Sequence, residues 1–96
     1  MKYIKKQIVG ASQQINECWK AKIMTVDLIN NKATIILDGY KNKAAFNAKA
    51  KKVESRVFSI NDITTLNNYL ALYNEIVNKI LTESNSEWEN GVLEDL

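Results

Sequence analysis

The chain has 96 residues, of which 46% are hydrophobic and 25% are charged, and its net charge is +2. This length predicts one domain with a modest core, and the composition argues against wholesale disorder and against a membrane protein. The start of the chain lacks the continuous apolar block of a signal peptide, so we expect a cytoplasmic protein.

Two strands are predicted in the first third of the chain. The pattern over 3–9 is ambiguous, because the spacing of Ile4 and Ile8 also fits a helix, and we interpret it as a short strand. Residues 15–29 are rich in β-branched and aromatic side chains, which favours a second and longer strand. Its apolar residues change parity after Ile23, and a parity change within one strand indicates either a bulge or a long twisted strand buried on different faces at its two ends.

Cys18 lies in the second predicted strand and is the only cysteine in a chain without histidine. A single cysteine forms no internal disulfide, and the usual thiolate and imidazole metal cages cannot be built. We therefore expect a buried, unreactive thiol and no metal or other cofactor.

Asn30 and Asn31 separate the second strand from a third strand-like run. Asparagine tolerates the positive φ that a two-residue hairpin turn needs, so we expect Ile29 to pair with Lys32. This register places Leu28 opposite Ala33, Val26 opposite Ile35 and Met24 opposite Leu37, and forms a continuous apolar face.

The lysine-rich segment 41–52 contains several alanines but only one bulky apolar residue, Phe46. Without an apolar stripe to bury, a helix this short is marginal in water. We expect an exposed turn or a short helical excursion here, followed by a strand at 53–60 that again alternates.

The spacing of apolar residues after Ile63 predicts an amphipathic helix over 62–83, capped by Asn61 or Asp62. The segment that follows, 84–96, is acidic, yet it retains several large apolar residues. Either a short terminal helix packs on the domain here, or these apolar side chains bind another protein. With Glu83, the end of the chain carries five acidic residues and no basic ones, so the remainder of the chain is strongly basic.

Together these elements predict an α+β fold: an antiparallel sheet of three or four strands with one long C-terminal helix packed on a face. The whole chain, 1–96, is expected to form a single domain with 84–96 as its acidic C-terminal segment. The predicted core consists of Ile23, Val26, Leu28, Ile35, Leu37, Val57, Phe58, Leu66, Leu70, Tyr73, Val77 and Ile80.

Residues that carry enzyme chemistry are sparse, so we expect no enzyme. The acids outside the tail stand singly at positions expected to face solvent: Glu17, Asp27, Asp38, Glu54, Asp62 and Glu75. The glycines stand too far apart to form a phosphate-binding loop.

Nucleic-acid binding is the sharper alternative, because the lysines of 41–52 together with Arg56 can form a basic patch that neutralises phosphates. A single arginine and an acidic tail weaken this interpretation. Membrane binding has less support, since Lys79 is the one basic residue of the predicted amphipathic helix.

Residues 18–60, CWKAKIMTVDLINNKATIILDGYKNKAAFNAKAKKVESRVFSI, resemble small structural proteins of tailed bacteriophages and prophages. The resemblance consists of an aromatic and basic strand, an asparagine turn, a strand ending in Gly39 and Tyr40, a loop with Lys and Ala, and a last strand before a helix. The loop departs from the pattern, which often has Gly and Pro where Ala48, Lys49 and Ala50 stand.

The resemblance implies a non-enzymatic component of the head, neck, tail or baseplate, made in the host cytoplasm and built into the virion. It would act by self-association or by binding other virion proteins. A sheet edge beside the first strand can extend between subunits and the acidic tail can meet a neighbour's basic loop, or the tail folds onto its own domain. The candidate contact surface is Lys41, Lys43, Lys49, Lys51, Lys52, Arg56, Trp88, Leu93 and Leu96.

Overall fold

The computed structural model describes residues 2–10, 13–64, 68–84 and 86–95. These residues form one five-stranded antiparallel sheet, in the strand order β4-β3-β2-β1-β5, and two helices. The elements are β1 (Lys2–Val9), β2 (Ile15–Asp27), β3 (Lys32–Tyr40), α1 (Lys43–Asn47), β4 (Glu54–Ile60), α2 (Tyr69–Thr82) and β5 (Val92–Asp95). The predicted α+β class is confirmed, and the expected three or four strands are corrected to five.

The predicted bulge in β2 is confirmed, since its pairing with β3 shifts between Ala21 and Ile23. The hairpin itself is present, but its predicted register is wrong by two residues. Asp27, not Ile29, pairs with Lys32, so that Val26 faces Ala33 and a four-residue loop joins the strands.

The longer loop has a local cause in the Asp27 carboxylate. Asp27 Oδ1 accepts hydrogen bonds from the backbone nitrogens of Ile29 (3.0 Å) and Asn30 (3.2 Å), and Oδ2 accepts one from Asn30 Nδ2 (2.8 Å). Only Asn31 of the two asparagines has positive φ, 53°, whereas a two-residue type I′ turn needs it at both central residues. Leu28 and Ile29 therefore lie in the loop and not in the strand.

The lysine-rich middle contains the short helix α1, in agreement with the expected helical excursion. Asn42 caps it, because its side-chain oxygen accepts a hydrogen bond from Ala45 N at 2.8 Å. The ring of Phe46 packs edge-on against Tyr40, with centroids 5.0 Å apart, which ties α1 to the end of β3.

Helix α2 begins seven residues later than the predicted helix, at Tyr69 and not at residue 62. Asp62 has φ 59°, outside the right-handed helical region, and Asn68 provides the cap by accepting hydrogen bonds from Leu70 N and Ala71 N. The connection at 61–64 is held in place instead, since Ile63 N donates to Asn31 O and Lys79 Nζ donates to the carbonyls of Asn61 and Asp62.

The acidic tail forms neither a terminal helix nor a free segment. Ser86 Oγ accepts a hydrogen bond from Trp88 N, a turn ends at Gly91, and β5 then pairs with β1 from Lys2–Asp95 to Lys5–Val92. The two strands carry opposite charges, and Lys5 Nζ lies 3.9 Å from Glu94 Oε1. The β1 edge expected to extend between subunits is thus covered by the chain's own tail.

The core lies between α2 and one face of the sheet, around Trp19. Its ring packs edge-on against Trp88 at 4.9 Å and crosses Gly39, where an added Cβ would lie 2.5 Å from the ring. Of the predicted core, Ile35, Leu37, Tyr73, Val77 and Ile80 are buried and Phe58 is partly buried, while Leu66 lies outside the described residues. The buried residues that the prediction missed include Ile4, Ile8, Trp19, Ile63, Leu72, Ile76 and Trp88.

Five predicted core residues are exposed: Ile23, Val26, Leu28, Val57 and Leu70. Val57 lies on the face of the sheet away from α2, because β4 presents Phe58 to the core and strand side chains alternate. The other four lie where β2, β3 and the start of α2 extend beyond the end of β1.

Candidate interaction surface

The nine residues of the candidate contact surface do not come together in one place. Lys41, Lys43, Lys49 and Lys51 are exposed on the segment around α1. Lys52 lies beside them, but its ammonium group is 3.6 Å from Asp38 Oδ1. Leu96 lies outside the described residues.

Arg56 belongs to the opposite face of the sheet from this lysine segment. It pairs with Leu37, and its guanidinium lies 5.8 Å from the centre of the Trp19 ring. Its nitrogens donate to Glu54 Oε2 at 3.2 Å and to Glu87 Oε1. The arginine is therefore committed to the core side of the sheet and to the acidic tail of its own chain.

Trp88 and Leu93 are also turned toward the core. Trp88 is 2% exposed and contacts both Trp19 and Phe58, with centroids 4.9 and 5.3 Å away. Leu93 is half-buried against the same cluster. Trp88 is packed within its own chain, so it is not available to a partner in this conformation.

The acidic residues do not form a reactive cluster in the described part of the chain. Asp38, expected to face solvent, is buried and accepts a hydrogen bond from Ser55 Oγ at 2.6 Å. Glu75 is bound to the backbone and side chain of Thr64 at 3.0 and 3.1 Å. No group of three or more carboxylate or thiol ligands that would suit a metal ion occurs among the described residues.

Cys18 is buried between strands, as expected. Burial, and to a lesser degree the nearby Glu17 carboxylate, raises the pKa of its thiol from 9.0 to about 11. A thiol that stays protonated and inaccessible at neutral pH is a poor nucleophile. This residue contributes to packing and offers no reactive group.

Six of the exposed large apolar side chains lie at the hairpin end of the sheet, while others, such as Val9, Ile15 and Val57, lie elsewhere. We call these six side chains the hairpin-end surface; it consists of Ile23, Val26, Leu28, Ile29, Tyr69 and Leu70, whose exposed fractions run from 38% to 91%. Four of these residues belong to β2 and its loop, and two to the first turn of α2. Leu28 and Ile29 at the tip are the most exposed of the set at 69% and 91%, values typical of side chains without neighbours.

An apolar groove lies within this surface. It has a volume of about 620 Å³ and runs between β2 at 21–24 and the first turns of α2. Tyr69, Leu70 and Tyr73 line its helical wall, and Lys2 and Asp95 close one end. Sequence reasoning missed this site because its apolar residues fit the periodicity of core positions. The signal that places Leu28 and Ile29 in a loop is Asp27, whose carboxylate binds the backbone nitrogens of Ile29 and Asn30.

A smaller apolar row crosses the sheet on the face away from α2. Ile23, Ile36 and Val57 are direct cross-strand neighbours on β2, β3 and β4. Thr25, Thr34 and Ser59 form the next row, so the apolar row has a polar margin on this side.

Comparisons with protein-family models, with curated proteins and with solved structures found no match. In the described residues, neither helix combines the length and apolar character needed to cross a membrane. Function is therefore inferred from the surface of the molecule.

Proposed function

We propose that this protein is a non-enzymatic assembly protein that acts through protein–protein contacts, as a structural component of a bacteriophage or prophage virion. The observation that carries the proposal is the hairpin-end surface with its groove. Contiguous exposed apolar residues next to an ordered core are typical of surfaces that bind other proteins. The virion context comes from the resemblance of residues 18–60 to small phage structural proteins.

The proposal is tested on particles purified after phage induction of cells that carry the gene. Peptide mass spectrometry of these particles should detect the protein at a constant ratio to the major capsid or tail protein, through repeated purification. A second test removes the surface: the particle yield should fall when Leu28 and Ile29 are both replaced by Asp. Absence of the protein from washed particles would overturn the virion proposal.

Binding of nucleic acid is the second candidate function, because Lys41, Lys43, Lys49 and Lys51 are exposed on one segment. Each phosphate that a lysine neutralises adds salt-dependent affinity. The segment lacks the arginine that the sequence had placed with it, and arginine is the stronger ligand for phosphates and bases.

Sedimentation of the full chain across protein concentration and salt, alone and with a short DNA duplex, separates the two functions. Assembly that is independent of DNA supports the protein-contact function. A monomer that co-sediments with DNA only at low salt, and no longer does so when the four exposed lysines are changed to Gln, supports the nucleic-acid function instead.

A further inference from the structure

The second half of β2 has an open edge. Residues 23–27 pair with β3 on one side and Lys22 lies at the bulge, but within the described residues no strand covers the other side of 22–27. The reason is the position of β1: Ile4 pairs with Trp19, so Lys2 at the start of β1 lies level with Ala21. Unpaired backbone N–H and C=O groups along such an edge are a template for another strand.

The open edge and the apolar groove are adjacent. Ile23 and Met24 belong both to the edge and to the wall of the groove, and Tyr69 and Leu70 lie across from them. A strand added here would therefore gain backbone hydrogen bonds on one side and apolar contacts from α2 on the other. Strand addition with side-chain pockets is a recurrent mode of protein recognition.

We propose that the occupant of this edge is a second copy of the same chain, and that the two copies pair β2 with β2 in antiparallel orientation about a two-fold axis. The inference rests on the proposed function and names the partner that the hairpin-end surface binds. A two-fold axis perpendicular to the sheet keeps the core-facing side chains of both copies on the same side. With Thr25 at the centre, Met24 of each copy lies opposite Val26 of the other, an apolar pair.

The same register explains the exposed loop tip. When Thr25 lies opposite Thr25, Asp27 of one copy is level with Ile23 of the other. The loop tip that follows Asp27 therefore lies beside the end of the partner's groove that Lys22 and Ile23 line. Each copy thus has an apolar loop tip and an apolar groove, and in a two-fold dimer the tip of each copy contacts the groove of the other.

The charges at the two ends of the edge agree with this orientation. Lys22 stands at one end of the open segment and Asp27 at the other, and both are exposed. Antiparallel pairing brings the basic end of each strand beside the acidic end of its partner, whereas parallel pairing would oppose like charges. The chain's own last strand, β5, is already paired with β1 and does not compete for the edge.

The decisive experiment combines sedimentation velocity with hydrogen exchange on the full chain, each over a wide range of protein concentration. The wild-type protein should form a dimer, and the amides of 22–27 should become protected as the dimer forms. The double variant Leu28→Asp/Ile29→Asp and the single variant Leu70→Asp should each raise the dimer dissociation constant by about tenfold or more.

The matched control is Val9→Asp/Val57→Asp, which makes the same charge change as the tip variant at two other exposed apolar positions. Its dimer dissociation constant should equal that of the wild type. Circular dichroism establishes that each variant is folded. Leu70→Asp keeps the test valid if the tip variant fails to fold, because a negative charge in the first turn of a helix is favourable.

A wild-type protein that stays monomeric at all concentrations overturns the inference. So does a dimer that tolerates both the tip and groove variants and leaves the exchange of 22–27 unchanged. In either case the presence of the protein in washed particles still decides the proposed function, so the two failures are distinguishable.

Discussion

Arg56 links three parts of the molecule that are distant in sequence. Its guanidinium stacks near Trp19 of β2, pairs with Glu54 of its own strand and reaches Glu87 of the tail. The planar guanidinium donates in several directions at once and also packs against an aromatic ring, which an ammonium group does much less well. The side chain of Arg56 therefore connects the acidic tail to the sheet.

Replacing Arg56 by Lys should lower the free energy of unfolding by ~1 kcal/mol, because a single ammonium cannot keep both carboxylates and the ring contact. Urea denaturation followed by tryptophan fluorescence measures the change. Glu87→Gln is the comparison; its carboxylate is half-exposed, so the loss should be smaller. Equal stability of Arg56→Lys and the wild type would show that the guanidinium geometry contributes nothing.

At the scale of elements, the tail is held by Trp88 and β5 together. Trp88 fills the space between Trp19 and Phe58, and the turn after it delivers β5 to the edge of β1. Backbone hydrogen bonds alone rarely hold a four-residue edge strand, so the buried ring is the anchor that makes the pairing persistent.

Trp88→Ala should therefore destabilise the whole domain by about 3–5 kcal/mol, the usual cost of emptying a large aromatic site. Chemical denaturation gives the value, and hydrogen exchange should show faster exchange in both β1 and β5. Trp88→Phe retains one aromatic ring at this site, leaves a smaller cavity and should cost less than Trp88→Ala. If Trp88→Ala proved as stable as the wild type, the tail would be free to bind elsewhere.

The elements that the sequence predicts well are those with local signals. The alternation in β4 and the change of parity in β2 led to correct strands and a correct bulge. The apolar spacing after Ile63 predicted α2, although with a start seven residues too early. The hairpin register was wrong because the Asp27 side chain, and not the two asparagines, decides the loop. Strand β5 was missed because four residues of an acidic tail carry no periodicity that distinguishes a strand.

At the scale of the whole molecule, the core prediction failed at positions where local sequence does not determine which face of the sheet a side chain occupies. Trp19 and Ile4 share the core face because β1 pairs with β2 in a particular register, a long-range fact that no local pattern contains. The candidate site failed for the same reason. Trp88 and Arg56 were predicted as surface groups, but the tail packs against both of them. Leu28 was predicted as core, but it lies in the exposed loop.

Several buried groups have higher pKa values in the folded protein than in the unfolded chain. The stability of the fold therefore decreases at alkaline pH. Burial, and for Tyr3 also the hydrogen bond to Glu94, raises the pKa values of Tyr3 and Tyr73 from 10.0 to about 12. Burial raises the pKa of Cys18 from 9.0 to about 11. In each case the neutral, protonated form is the one that the core accommodates.

Since these pKa values are higher in the folded state, the stability they contribute is complete below about pH 9 and is lost as the pH rises toward 12. Urea denaturation at a series of alkaline pH values should show this decline. Tyr73→Phe removes one of the groups and should make the decline shallower, whereas Tyr69→Phe alters an exposed ring and should leave it unchanged. A decline equally steep in both variants would mean that Tyr73 ionises as easily in the folded protein as in the unfolded chain, and that its buried hydroxyl does not resist the alkaline transition.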